Sequence, residues 1–230
     1  MPGFLALMGG NEFRPDCLPM DEELLDRIGR KPARVVIVPT AAARENPRLA
    51  ADHGIRYFAA MGAAASAAMI ITRADANDPQ RSAPIREADL IYLTGGDPRY
   101  LLSILVGSIC WSVIGQRWQV GATLVGSSAG AMALAGMMVY GGPPVEGLGA
   151  APGVVVSPHF DPASGDAGPS MTGSGLPPGL TVFGIPTATS AVTTDGQVWE
   201  ALGASSMTIW PPAPQPGYTV EPGDRFWLPG

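Results

Sequence analysis

Leu124–Leu134 reads LVGSSAGAMAL, a short apolar run that gives way to small residues and then to a helical spacing of Met132, Leu134 and Met137. A strand turning abruptly into a helix lifts the side chain at the turn to the top of a sheet and aims the first free helical N–H groups at it. Ser128 is the central residue of Gly126-Ser127-Ser128-Ala129-Gly130, a literal G-x-S-x-G, and the flanking glycines permit the close approaches such a turn needs. The segment therefore reads as a nucleophile elbow with Ser128, not Ser127, projecting from it. The plainer alternative is a helix-capping serine inside a small-residue packing contact.

Around this segment, strand and helix signals alternate. FLALMG (4–9), ARVVIVPTA (33–41), AAMIITR (67–73), DLIYLTGG (89–96) and ATLVGS (122–127) read as buried strands. Helices are expected over 20–29, 46–61, 84–89, 100–121 and 128–138. Strands that are continuously apolar and separated by helices indicate a parallel sheet covered on both faces, a three-layer, doubly wound α/β fold. Beyond Tyr140 the chain turns rich in glycine and proline around short strands such as GVVVSPHF and LTVFGI. TDGQVWEALG and SSMTIW read as a terminal hairpin. The organisation expected is one α/β domain over residues 1–210, with 211–230 a proline-rich tail.

The 230 residues are 46% hydrophobic and only 15% charged, which suits thick elements buried on both sides. A net charge of −6 without any Lys/Arg cluster argues against nucleic acid and anionic membranes as partners. No run approaches the roughly 20 apolar residues of a membrane span, and the MPGFLALMGG start lacks a basic leader region. Cys17 and Cys110 lie far apart without metal-ligand spacing, so a reduced, cytoplasmic setting with no metal and no cofactor is expected. A homodimer is among the assemblies open to such a chain.

In open α/β sheets ligands bind beyond the carboxyl ends of the strands. Four turns fall there: Gly9-Gly10-Asn11-Glu12, Pro39-Thr40-Ala41, Thr94-Gly95-Gly96-Asp97 and Gly126-Ser127-Ser128. Gly10, Asn11, Glu12 and Asp97 are thus expected on the rim of one pocket. A serine nucleophile needs a base within reach, and the chain has two histidines. His53 sits in a helical segment and reads as a surface or packing residue, whereas His159 closes a Val-Val-Val-Ser-Pro strand. Backbone N–H groups of Gly96 and Ala129 are the expected oxyanion donors.

ALMGGNEF, VVIVPTAAA, LIYLTGGDP, LVGSSAGAM and GLGAAPGVVVSPHF, in that order, resemble the dipeptidase E and cyanophycinase family of serine peptidases, which has the flavodoxin-like fold of class I glutamine amidotransferases. The resemblance runs to about residue 210. It implies Ser128 as nucleophile, His159 as base and Gly96 in the oxyanion hole, acting on a small peptide or amino-acid amide. The chain departs from the family twice. Ser157-Pro158 replaces the polar pair common in members that cleave at aspartyl residues. GIPTATSAV (184–192) carries Thr187 where the family has the glutamate that orients the histidine. Asp161, Glu146 and Glu12 are the carboxylates that could substitute. A relative that kept the pocket, lost the acid and only binds small molecules or peptides is the alternative. A glutaminase would carry cysteine at position 128, and an α/β-hydrolase would need an acid and several elements between Ser128 and His159, where only Glu146 and a short stretch occur.

Overall fold

A computed structural model describes residues 2–161 and 176–228. The strands are β1 (Leu5–Met8), β2 (Arg34–Val38), β3 (Ala64–Ala67), β4 (Leu90–Leu93), β5 (Thr123–Ser127), β6 (Ala135–Met138), β7 (Val145–Glu146), β8 (Ala151–Pro158), β9 (Thr181–Ile185), β10 (Thr189–Thr193), β11 (Val198–Gly203), β12 (Met207–Trp210), β13 (Tyr218–Val220) and β14 (Arg225–Trp227). The α-helices are α1 (Leu18–Ile28), α2 (Pro47–Ala60), α3 (Arg73–Ala76), α4 (Pro98–Leu105), α5 (Ile109–Gln119) and α6 (Ala129–Leu134).

The main sheet has eight strands in the order β14-β11-β10-β1-β5-β4-β2-β3. From β1 to β3 every pairing is parallel, and from β1 to β14 every pairing is antiparallel. Alternate side chains divide between two cores, as the pleat requires. Ala6, Met8, Val35, Ile37, Leu90 and Tyr92 pack under α1 and α2 with Leu24 and Phe58. Leu5, Leu7, Val36, Ile91 and Leu124 face α4–α6 on the other side. The doubly wound α/β fold expected from the strand pattern is present.

A second sheet of six strands, β13-β12-β9-β8-β6-β7, lies against the α4–α6 side. Phe183 of β9 locks the two sheets together, its ring 5.1 Å from Trp199 of β11 and 5.4 Å from Phe226 of β14.

Local signals moved several expected boundaries. The strand expected over 67–73 forms earlier, at 64–67, because Thr72 and Asp75 make a capping box that starts α3 and draws Ile71 and Thr72 into the turn. The single helix expected over 100–121 is two, bent by 91°. Gly107 adopts φ 65°, and Ser108 caps the second piece by accepting the Trp111 N–H. The helix after the elbow stops at Leu134, and Ala135–Met138 continues as a strand bonded to β8. The expected terminal hairpin does not form, since β11 and β12 enter different sheets. Residues 211–228 likewise supply one strand to each sheet. Among the described residues, no single helix is long and apolar enough to cross a membrane.

Candidate active site

Ser128 occupies the turn between β5 and α6 with φ 48° and ψ −108°, a conformation costly for a residue with a side chain. Two bonds hold it there: its N–H donates to Met8 O at 3.0 Å, and its carbonyl accepts the Met132 N–H at 2.9 Å. The glycines of the motif are sterically required. A Cβ on Gly126 would lie 2.5 Å from the Gly130 carbonyl carbon, and one on Gly130 would collide with the Leu93 carbonyl oxygen. Ser127 is fully buried and points the other way, donating to Glu12 Oε2 at 2.7 Å. Only Ser128 presents its hydroxyl to the cleft.

His159 follows β8, whose carboxyl end lies beside the same turn. Its backbone is also left-handed, φ 52°, and its N–H donates to Gly9 O at 2.8 Å. The imidazole rests on Gly10, where any Cβ would clash with the ring. This brings Nε2 to 2.8 Å from Ser128 Oγ. A hydroxyl at that distance from a ring nitrogen can pass its proton to it.

Gly96, at φ 134°, has no room for a side chain because the Ala41 carbonyl fills that space. Asp97 donates its N–H to the same carbonyl at 2.8 Å, so the turn is tied to the end of β2. Gly96, Ser128, Ala129 and His159 line one cavity of about 450 Å³. Among the described residues, neither the Gly96 nor the Ala129 N–H has a protein acceptor. Two such donors beside a hydroxyl and an imidazole can stabilise a developing oxyanion.

The other expected rim residues have structural tasks. Asp97 caps α4 by accepting the Tyr100 N–H at 3.0 Å, and its second oxygen pairs with Arg44 at 3.2 Å. Asn11 donates to Asp16 at 3.2 Å, on the exposed side of its turn. Glu12 clamps two turns together, accepting from Gly95 N at 2.7 Å through Oε1 and from Ser127 through Oε2. Glu146 is exposed on β7, paired in register with Met137. Asp161 is exposed two residues past His159. Thr187 lies in the turn between β9 and β10, next to Ala188, whose N–H donates to Gly10 O at 3.1 Å. It is thus beside the glycine that carries the His159 ring, but its hydroxyl makes no hydrogen bond among the described residues. The Pro186-Thr187-Ala188 turn carries no carboxylate for the remaining ring nitrogen of His159. His53 lines a separate recess with Arg14, Arg56 and Tyr57. Burial pushes the Cys17 thiol up to about 12 and the Cys110 thiol to about 11, which leaves neither as a competing nucleophile. No group of three or more His, Cys, Asp or Glu side chains converges among the described residues.

Sequence reading missed the wall of the cavity, Pro98, Met132, Val139 and Tyr140, and the buried task of Glu12. Only the first was within reach: Met132 sits one helical turn after Ser128, on the face that looks back at it.

Residues 5–167 match the family model described as "Peptidase family S51". The cyanophycinase of Nostoc sp. (strain PCC 7120) is 29% identical over 221 residues, covering 90% of this chain and 73% of that protein. The cyanophycinase of Geminocystis herdmanii is 29% identical over 205 residues, covering 82% and 74%. The crystal structure of a peptidase from an acI-B1 actinobacterium superposes with a TM-score of 0.85 at 27% identity, covering 99% of this chain and 98% of that one. A putative peptidase E protein from Listeria monocytogenes EGD-e shares the fold, with a TM-score of 0.66 at 16% identity over 89% of this chain and 100% of that one.

Proposed function

The chain belongs to peptidase family S51, the serine peptidases of the dipeptidase E and cyanophycinase type, and from that premise we propose that it hydrolyses a small peptide or amide through an acyl-enzyme on Ser128. The observation that carries this reading is the 2.8 Å approach of Ser128 Oγ to His159 Nε2 in a cavity that also holds two unengaged N–H groups. With the ring proton on Nδ1, Nε2 accepts the hydroxyl proton as Oγ attacks the carbonyl carbon. The carbonyl oxygen, now negative, receives the Gly96 and Ala129 N–H groups. Nε2 returns the proton to the departing amine, leaving an ester on Ser128. Water then enters, gives a proton to Nε2 as its oxygen attacks the ester carbonyl, and Nε2 returns that proton to Oγ as the acid leaves and the serine is restored.

Treatment with a serine-directed fluorophosphonate tests this. The adduct is expected on Ser128, with labelling abolished in Ser128→Ala and retained in Ser127→Ala. Labelling of Ser127, or labelling that survives Ser128→Ala, would refute it.

One observation favours a second reading, a protein that binds peptides without cleaving them: the turn at Thr187 offers His159 no carboxylate. Such a protein would bind peptides yet resist the fluorophosphonate.

A further inference from the structure

Besides the four groups assigned to chemistry, the cavity is walled by Pro98, Met132, Val139, Tyr140, Ser157 and Pro158. None of these carries a charge, and the hydroxyls of Ser157 and Tyr140 are the polar side-chain groups among them. Two arginines approach the rim, and both are committed. Arg44 is paired with Asp97 at 3.2 Å and lies over the Tyr100 ring at 4.9 Å. Arg99 donates to the carbonyls of Tyr140 at 2.6 Å and Pro143 at 3.1 Å, holding the segment that presents Val139 and Tyr140 to the cleft.

We propose that this wall selects an uncharged, apolar side chain, of the size of leucine or methionine, on the residue whose carbonyl Ser128 attacks. The inference rests on the hydrolase reading above. A substrate carboxylate placed here would lose water without gaining a cation, and a guanidinium would lose water without gaining an acid from the wall. An apolar side chain meets Met132, Val139 and the two prolines and gains from leaving water. About 450 Å³ is at the small end of ligand cavities, a size suited to one or two residues and not to a long polymer segment. The departure at Ser157-Pro158 thereby acquires a physical meaning: where a polar pair would face the substrate, a small hydroxyl and an apolar ring do so.

The test uses the dipeptides Leu-Ala, Met-Ala, Asp-Ala and Arg-Ala, which vary only the acyl residue. It measures kcat/KM on the wild type and, in parallel, affinity for Ser128→Ala by calorimetry. Leu-Ala and Met-Ala are expected to exceed Asp-Ala and Arg-Ala by tenfold or more in both. Val139→Arg is expected to shift the preference towards Asp-Ala by about tenfold, with an unchanged melting temperature. Equal or better use of Asp-Ala or Arg-Ala by the wild type would overturn the proposal, as would failure of Ser128→Ala to bind any of the four. If the wild type resists fluorophosphonate and cleaves nothing while Ser128→Ala still ranks leucine and methionine first, the hydrolase reading fails and the apolar site stands.

Discussion

Ser128 Oγ meets His159 Nε2 at 2.8 Å although both residues hold left-handed backbone, φ 48° and 52°. Each such conformation costs on the order of 1–3 kcal/mol, and the glycines around them make room for it. Gly130→Ala is therefore expected to force the elbow open, because its new methyl meets the Leu93 carbonyl. Activity should fall at least 100-fold and stability by about 2 kcal/mol, several degrees of melting temperature. Gly115→Ala is the matched control. Its Cβ meets nothing within 4 Å in helix α5, so it should keep full activity and gain roughly 0.5–1 kcal/mol. Thermal melts and kinetics on both variants check the pair.

Glu12 joins the turn that carries Gly96 to the turn that carries Ser128, through Gly95 N and Ser127 Oγ, both at 2.7 Å. Glu12→Gln keeps an acceptor for Gly95 and a polar partner for Ser127, and should retain most of kcat. Glu12→Asp keeps the charge but is one methylene too short to span both turns, and should lose more. Loss of charge-assisted hydrogen bonds of this kind costs roughly 1.5–3 kcal/mol each. If Gln inactivates and Asp does not, the charge of Glu12 matters and the bridge does not.

Asp21 supplies a pH signature. Burial, with the nearby Glu12 charge adding to it, pushes its carboxyl up to about 7 against the opposing hydrogen bond from Tyr57 at 2.8 Å. In the unfolded chain the same group titrates near 4. Between those values the folded protein holds a proton that the unfolded chain has released. Its contribution is therefore complete below about pH 4, is lost as pH rises to about 7, and is flat above. The loss amounts to roughly 2–4 kcal/mol. Asp21→Asn should flatten that slope in urea unfolding at pH 4.5, 6 and 8, and an unchanged slope would place the proton elsewhere.

Thr187 stands where an orienting acid for His159 is expected, and a substitution there tests whether one is missing. Loss of the orienting acid costs serine proteases about 10⁴-fold in rate, and the turn at Thr187 lies beside the glycine under the His159 ring. Thr187→Glu is expected to raise kcat tenfold or more on a substrate that the wild type cleaves slowly. A fast wild type that slows when Asp161 or Glu146 is neutralised would show the acid to lie there.

The parallel strands β1, β2, β4 and β5 were legible because they are apolar on both faces, whereas the half-exposed edge strand β3 was misplaced. The same signals located Ser128, His159, Gly96 and Ala129, which converge on one cavity. The second sheet was legible only in part: β8, β9 and β12 read as strands, but not that they join one sheet with β6. Its β6 begins inside an unbroken helical pattern, and it is strand pairing with β8, a tertiary event, that makes Ala135–Met138 extended. Nor could sequence alone separate β11 from β12, since the three residues 204–206 between two alternating runs describe a hairpin and a change of sheet equally well. Val139 and Tyr140 entered the cleft unannounced because their position depends on Arg99, about 40 residues upstream, bonding backbone carbonyls that no side-chain pattern encodes.

The antiparallel neighbour of β1 is β10, with Leu5 opposite Thr193 and Met8 opposite Ser190, and Gly9 donates to Thr189 O at 3.0 Å. The floor beneath His159 is thus closed by a strand that follows it in the chain. A chain emerging from the ribosome exposes Ser128 long before it can build the pocket around it. The site around Ser128 is therefore complete only once residues up to 193 have folded against β1, which ties its assembly to that of the whole main sheet.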